Sequence, residues 1–255
     1  MNDFKTEPIW VNYHKHTSLS NVYTKDSSLT HKDYWEELKK RYGSKECIYT
    51  TVEHGWAGNY FKTYDDLENY NKKNNTNIRF VFGVEAYWVK DRHNEDKSNC
   101  HIILLARNDN GRKAINKIIS IANKDGYYYR PRIDIELLDM LPSNDVMITT
   151  ACIAFWNKYD DIDSFVQYMA ERFKYFYLEL QCHNTESQKE LNKHIITLHN
   201  ELNIPIIAGV DSHVINENQI ADRDDLLESA HINYEDEDGW YLDYPTYSTF
   251  FNRLQ

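Results

Sequence analysis

His14-Lys15-His16 sets two imidazoles two residues apart. In an extended segment residues i and i+2 point the same way, so the pair can grip one cation; alone, that spacing is a weak signal that more often marks surface histidines. Four more short motifs carry ligand-type side chains: Glu53-His54-Gly55, Gly83-Val84-Glu85, Ala151-Cys152 and Asp211-Ser212-His213. Each follows or closes an apolar or β-branched run that reads as a strand. Histidines and carboxylates at strand ends must be desolvated unless they meet a cation or one another, so the shared position argues for a metal site. His101 departs from the pattern because it precedes its run, 102–106. It joins the others if that strand runs the opposite way, or if the turn before it lies on the ligand face.

The elements that must position these residues alternate. Strand-like runs occupy 9–13, 47–51, 80–84, 102–106, 146–150, 176–180 and 206–210. Amphipathic stretches of helical length lie around 32–41, 59–72, 111–123, 162–173, 186–202 and 219–230. Thr185 with Gln188 has capping-box spacing, and Thr30 with Asp33 is a weaker version. Such alternation predicts a parallel sheet with helical crossovers, and seven strands favour a closed barrel over a doubly wound sheet. With 8 Gly, 5 Pro and no polar linker in 255 residues, the chain reads as a single domain over 1–255.

Composition removes several function classes. Four cysteines lie far apart without a C-x-x-C, which argues against both a zinc ribbon and a secreted disulfide framework. No run reaches the roughly 18 apolar residues of a membrane span, and MNDFKTEPIW carries no signal-peptide core, so a cytoplasmic protein without a membrane partner is expected. A net charge of −11 disfavours gripping nucleic acid by bulk charge. If phosphates are the substrate, bound cations must help.

His14-Lys15-His16-Thr17, Val52-Glu53-His54-Gly55, Gly83-Val84-Glu85-Ala86-Tyr87, the stretch from His101 through Leu104-Leu105-Ala106-Arg107-Asn108, Tyr128-Tyr129-Arg130-Pro131-Arg132-Ile133-Asp134 and Asp211-Ser212-His213 resemble, in order, the motifs of the PHP (polymerase and histidinol phosphatase) domain. The version that opens bacterial DNA polymerase III alpha subunits is the nearest in kind, and the likeness covers about 10–245. It implies an α/β fold of the PHP type, a distorted seven-stranded (β/α)7 barrel, with three divalent metal ions, zinc or manganese, with iron(II) a further option. Carried over by position, His14, His16 and Asp211 would hold one ion, and Glu85 would bridge it to a second held by His101 and Cys152. A third would sit among Asp26, His54 and His213. Glu53 stands where the family uses aspartate and is expected behind His54, and Asp26 follows an insertion-like stretch, 18–25.

About three protein ligands per ion would leave positions open for water, and paired ions can activate that water and hold a phosphate for in-line displacement. The resemblance therefore implies phosphoester hydrolysis, with Glu85 and Asp211 central to it. Arg130 and Arg132, flanking Pro131, would hold a phosphate or a strand beside stacking faces from the tyrosines at 127–129. Equally, this segment can be a packed loop whose arginines pair with Asp134 and Glu136. The leading expectation is a phosphoesterase module of a replicase, acting as a 3′→5′ exonuclease on a DNA 3′ end or on another phosphoester, with a polymerase-core chain or other replisome subunits as partners. The alternatives are a non-catalytic metal-stabilised docking module and a histidinol-phosphatase-like enzyme. The family's polymerase carboxylates lie in palm sequence beyond this domain, so the chain alone is not expected to polymerise DNA. His183 is a candidate substrate neighbour. His31, His194, His199 and His231 read as surface histidines, and Asp161/Asp163, Asp222/Asp224 and Asp236/Asp238 as solvated faces.

Overall fold

The computed structural model describes residues 7–233 and 238–255; the opening segment and Asp236 lie outside them. The chain alternates strands and helices. A capping box, in which Thr30 and Asp33 bond each other's backbone, starts α1 (His31–Tyr42). After β1 (Glu46–Tyr49) comes α2 (Tyr60–Asn74), which stops where Asn75 turns left-handed at φ 53°. β2 (Asn77–Phe80) pairs parallel with β1, and β3 (Gly83–Trp88) continues beyond a short break. β4 (Cys100–Ala106) leads to α3 (Asp109–Asp125), then to β5 (Tyr127–Tyr128), β6 (Arg130–Ile133) and α4 (Ile135–Asp139). β7 (Val146–Thr149), α5 (Ile162–Arg172), β8 (Phe176–Leu180), α6 (Glu186–Leu202) and β9 (Ile206–Ala208) follow, with α7 (Ile220–Ser229) and α8 (Tyr247–Arg253) last.

Seven strands form one sheet in the order β5-β6-β3-β4-β7-β8-β9. β3–β6, β7–β8 and β8–β9 are parallel, whereas β4 runs antiparallel to both β3 and β7. The β1–β2 pair is joined to this sheet through backbone bonds from Val81 to Tyr49 (2.8 Å) and from Glu85 to Glu53 (3.2 Å). On the far side, His16 donates to the Ser212 carbonyl (3.0 Å), and Val52 donates to that of Lys15 (3.0 Å). The result is an α/β fold with a parallel-rich sheet of barrel-like form. The strand expected at 9–13 is absent as a regular strand: the pairing falls a few residues later, in a bridge between Lys15 and Ser212. The single strand expected at 80–84 is split into the ends of β2 and β3.

Side-chain alternation sorts the strands into two faces. Val84, Ala86 and Trp88 of β3, Ile102 and Leu104 of β4, and Phe176 and Leu178 of β8 join the large core that α3, α5 and α6 cover. Their odd neighbours point the other way, where Ile103 and Leu105 pack with Tyr13, Val52 and Ala151. Glu85, Tyr87, His101 and Glu179 share that inner parity. A separate aromatic cluster of Tyr34, Trp35, Tyr49, Tyr70 and Tyr244 surrounds α1 and β1, and the Lys15 ammonium lies buried 5.0–5.5 Å from three of those rings.

Candidate metal centre

Glu85 stands at the middle of a buried cluster. Its register opposite Ile103, with Tyr87 opposite His101, brings the start of β4 to the end of β3. This is how His101 reaches the ligand face: β4 runs backwards, so its first residues lie where other strands present their last. The Glu85 carboxylate lies 2.9 Å from His101 Nδ1, 3.1 Å from His16 Nε2, 3.2 Å from His54 Nδ1 and 3.6 Å from His14 Nε2. Asp211 Oδ1 lies 3.0 Å from His16 Nε2, 3.1 Å from His213 Nε2 and 3.4 Å from His14 Nε2. Cys152 Sγ is 3.6 Å from His101 Nδ1.

Three compact sets result, each with its ligand atoms within 4.8 Å of one another: His14, His16 and Asp211; His16, His54 and Glu85; and Glu85, His101 and Cys152. The first and last coincide with two of the expected groupings. Asp26 bonds less directly with its expected companions, at 3.9 Å from His54 and 3.5 Å from His213, and the compact set around His54 runs through His16 and Glu85 instead. All nine candidate ligands thus converge on one locality.

Although many of these separations are short, His14 Nε2, His16 Nε2, His54 Nδ1, His213 Nδ1, Asp211 Oδ1 and both Glu85 oxygens are buried without an aligned hydrogen bond. Proximity therefore supplies charge–charge attraction without the directed bonds that buried polar atoms ordinarily find. The charges respond accordingly. Burial opposes ionisation of Glu85, but His101, His54 and His14 outweigh it and hold the carboxyl well below its usual range. Asp211 is depressed in the same way, chiefly by His14 and His213 against burial. Burial pulls His16 down, yet Asp211 and Glu85 carry it up to about 10, whereas burial and the neighbouring His16 push His54 down to about 3. Burial, reinforced by Asp211 and Glu85, holds the Cys152 thiol well above its ordinary range. A cation beside the sulfur would reverse that balance.

A supporting layer fixes the rings. Glu179 Oε1 accepts from His14 Nδ1 at 2.6 Å, which leaves Nε2 facing the cluster, and the same carboxylate takes bonds from Tyr13 and Gln181. Glu53 does sit behind the cluster, but it acts through Ser20: the Ser20 hydroxyl donates to Glu53 (2.6 Å), lies 3.1 Å from His16 Nδ1 and accepts from the His54 backbone N–H (3.2 Å). Glu53 also accepts from the Thr17 hydroxyl at 2.8 Å. Ser20 lies in the stretch that reads as an insertion. Neither Glu179 nor Ser20 was singled out from sequence. Glu179 had a usable signal, a carboxylate within the strand-like run 176–180, but its orientation depends on knowing which face is inner.

The Tyr-Arg-Pro-Arg segment divides its two arginines. Arg132 is buried and donates to four backbone carbonyls, those of Arg92, Asn94, Asp96 and Gly126, at 2.7–2.9 Å. Its guanidinium latches the 92–96 loop onto β6, so its expected place as a phosphate holder is corrected to a structural one. Asp134 and Glu136 are taken by Arg92, each at 2.7 Å, and by neither of the arginines expected there. Arg130 is half-buried, with its guanidinium 5.8 Å from the Tyr87 ring and 5.9 Å from that of Tyr23.

His183 is buried, accepts from the Tyr241 N–H and contacts Gln181, so it braces the 238–242 segment. His31 is only partly exposed and bonds Tyr49 at 2.7 Å. Asp161 and Asp163 pair with Lys90 and His194, and Asp222 and Asp224 are exposed on α7. Among the described residues no helix is long and apolar enough to cross a membrane.

Residues 12–183 match the family described as the PHP domain. The chain is 28% identical over 238 residues to the DNA polymerase III subunit alpha of Borreliella burgdorferi, covering 88% of this chain and 19% of that protein. It is 30% identical over 226 residues to that of Aquifex aeolicus, covering 81% and 18%. The chain thus spans about a fifth of the length of these relatives.

Proposed function

The chain belongs to the PHP domain family, and from that premise we propose that it is a metal-dependent phosphoesterase module that removes nucleotides from a DNA 3′ end within a replicase of the polymerase III alpha type. The observation that carries this reading is the set of buried, unaligned ligand atoms around Glu85. Seven such atoms in one locality would be costly in a closed protein core, on the order of 1–3 kcal/mol for each unsatisfied group. Cations offset that cost, and the donor set, imidazole with carboxylate and one thiol, suits zinc, manganese or iron(II).

His14, His16 and Asp211 would hold one ion, and Glu85, His101 and Cys152 a second. A third would lie among Asp26, His54 and His213, with His16 and Glu85 at its edge. When bound, divalent ions in such a site lower the pKa of coordinated water towards neutrality and offset charge on a phosphate. Glu179 keeps His14 in the tautomer that presents Nε2, and the Glu53–Ser20 pair does the corresponding work for His16. Arg130, whose guanidinium lies near the Tyr87 ring beside His54 and His101, would offer a fixed charge to an incoming phosphodiester. The backbone bonds that tie 12–16 to both 50–52 and 210–212 support a closed barrel of seven staves in a single domain.

The test is elemental analysis of the purified chain together with cleavage of a 3′-labelled oligonucleotide in Mn²⁺ or Zn²⁺. Metal loading and chelator-sensitive release of nucleotides, falling at least 100-fold in Glu85→Gln, are expected. A loaded protein that releases nothing would discard hydrolysis and leave the metals as a staple for a docking module.

A further inference from the structure

We propose, resting on the reading just given, that the β5–β6 hairpin is a base-stacking platform that selects single-stranded 3′ ends for the cluster. The hairpin is anchored beside the ligands. Tyr87 lies with its ring centroid 5.4 Å from that of His101 and 6.1 Å from that of His54. A Cβ on Gly55, the residue after His54, would stand 2.8 Å from the Tyr87 ring and 2.9 Å from Pro131 Cγ of β6. Only glycine lets the hairpin close onto the ligand loop at this distance, and its φ of +69° is likewise a glycine conformation.

Two aromatic side chains stand out from this anchored base: Tyr127 is 55% exposed and Tyr129 59%. Tyr129 adopts φ 60°, a left-handed backbone that bulky residues avoid. Glycine or asparagine would make that turn without strain, so the position retains a ring where the backbone favours none. Lys97 lies 4.1 Å from the ring centroid, and Tyr128 packs against it at 4.8 Å, which holds its orientation. Arg130, whose guanidinium lies 5.8 Å from the same Tyr87 ring, gives one N–H to the Tyr129 carbonyl and pairs with no carboxylate among the described residues. On a chain of net charge −11, Lys97 against the exposed Tyr129 ring and Arg130 against the Tyr87 ring that packs on His54 and His101 match a nucleotide: phosphate on Arg130, base on tyrosine.

Stacking needs a free base face. Bases inside a duplex already spend theirs on neighbours, so the platform favours an unpaired terminus and tolerates any base, since each has a π face.

The experiment measures binding of a 5′-fluorescent oligonucleotide with a 3′-phosphorothioate end, against the same end in a blunt duplex, by anisotropy on the metal-loaded chain. Wild type is expected to prefer the single strand at least ten-fold. Tyr129→Gly should weaken single-strand binding about ten-fold, the scale of one lost stacking contact, while its Tm holds or rises because the strain is relieved. Tyr129→Phe should bind within two-fold of wild type. Equal affinity for single strand and duplex, wild-type binding by Tyr129→Gly, or weak binding by Tyr129→Phe overturns the platform. Turnover of bis(p-nitrophenyl) phosphate by the wild-type chain is followed in parallel. That diester has no strand to stack, so its hydrolysis reports on the phosphoesterase reading separately.

Discussion

Glu179 carries more of the site than its place in the sequence suggests. Its carboxylate fixes His14, and the Gly209 position leaves it room: a Cβ there would come within 2.7 Å of the Glu179 carboxyl carbon. Glu179→Gln keeps the shape and removes the charge that holds the Nδ1 proton. Metal affinity is expected to fall about 10- to 100-fold with the fold retained, read by competition against a chromophoric chelator; unchanged affinity would show that His14 orients itself. The candidate ligands were legible as a cluster because histidine, carboxylate and cysteine at strand ends are costly without a cation or one another. Glu179 and Ser20 were not, since a glutamate inside a strand and a serine in a turn become informative only once the inner face is known. Arg132 was misread for a related reason. A guanidinium satisfied by carbonyls leaves no charge pattern in sequence, because every residue has a carbonyl.

At the scale of elements, the alternation of strands with long helices followed from the apolar periods, though the strands at 9–13 and 80–84 did not form as expected, and the two caps at Thr30 and Thr185 stand where expected. What period could not show was direction. His101 lies before its strand, and only the antiparallel run of β4 explains how it meets Glu85. β5, α4 and α8, two to seven residues long, are too short to display a period, and Pro131 disguises β6. The brace between β8 and the 238–242 segment has a measurable signature. Burial pushes His183 down to about 4 from 6.5. As pH falls, the unfolded chain therefore takes up this proton first, so the contribution is whole above about pH 6.5 and is lost progressively towards pH 4. Between pH 7 and pH 5 the loss should be about 2 kcal/mol. Urea midpoints with chelator present, which removes any metal contribution, should show a shallower pH slope for His183→Gln; equal slopes would assign the effect elsewhere.

For the whole molecule, the cluster gathers side chains from seven separate stretches between His14 and His213, so occupied metal sites should tie the fold together. At metal concentrations 100 times Kd, binding adds about 2.7 kcal/mol, which for a chain of this size corresponds to a Tm about 5–10 °C higher. Calorimetry with chelator, then with zinc or manganese restored, is expected to lower and recover Tm; an indifferent Tm would mean that the cluster binds no ion. The reversal of β4 also sets an order of assembly. Glu85 and His101 are near neighbours along the chain and meet as soon as one hairpin zips, at small loop-closure cost. His14 and Asp211 come from distant parts of the chain and meet only after the intervening strands and helices have packed. A half-built cradle at Glu85 and His101 would then precede the complete one, and the first cation to settle there would act as a rivet set before the remaining donors arrive.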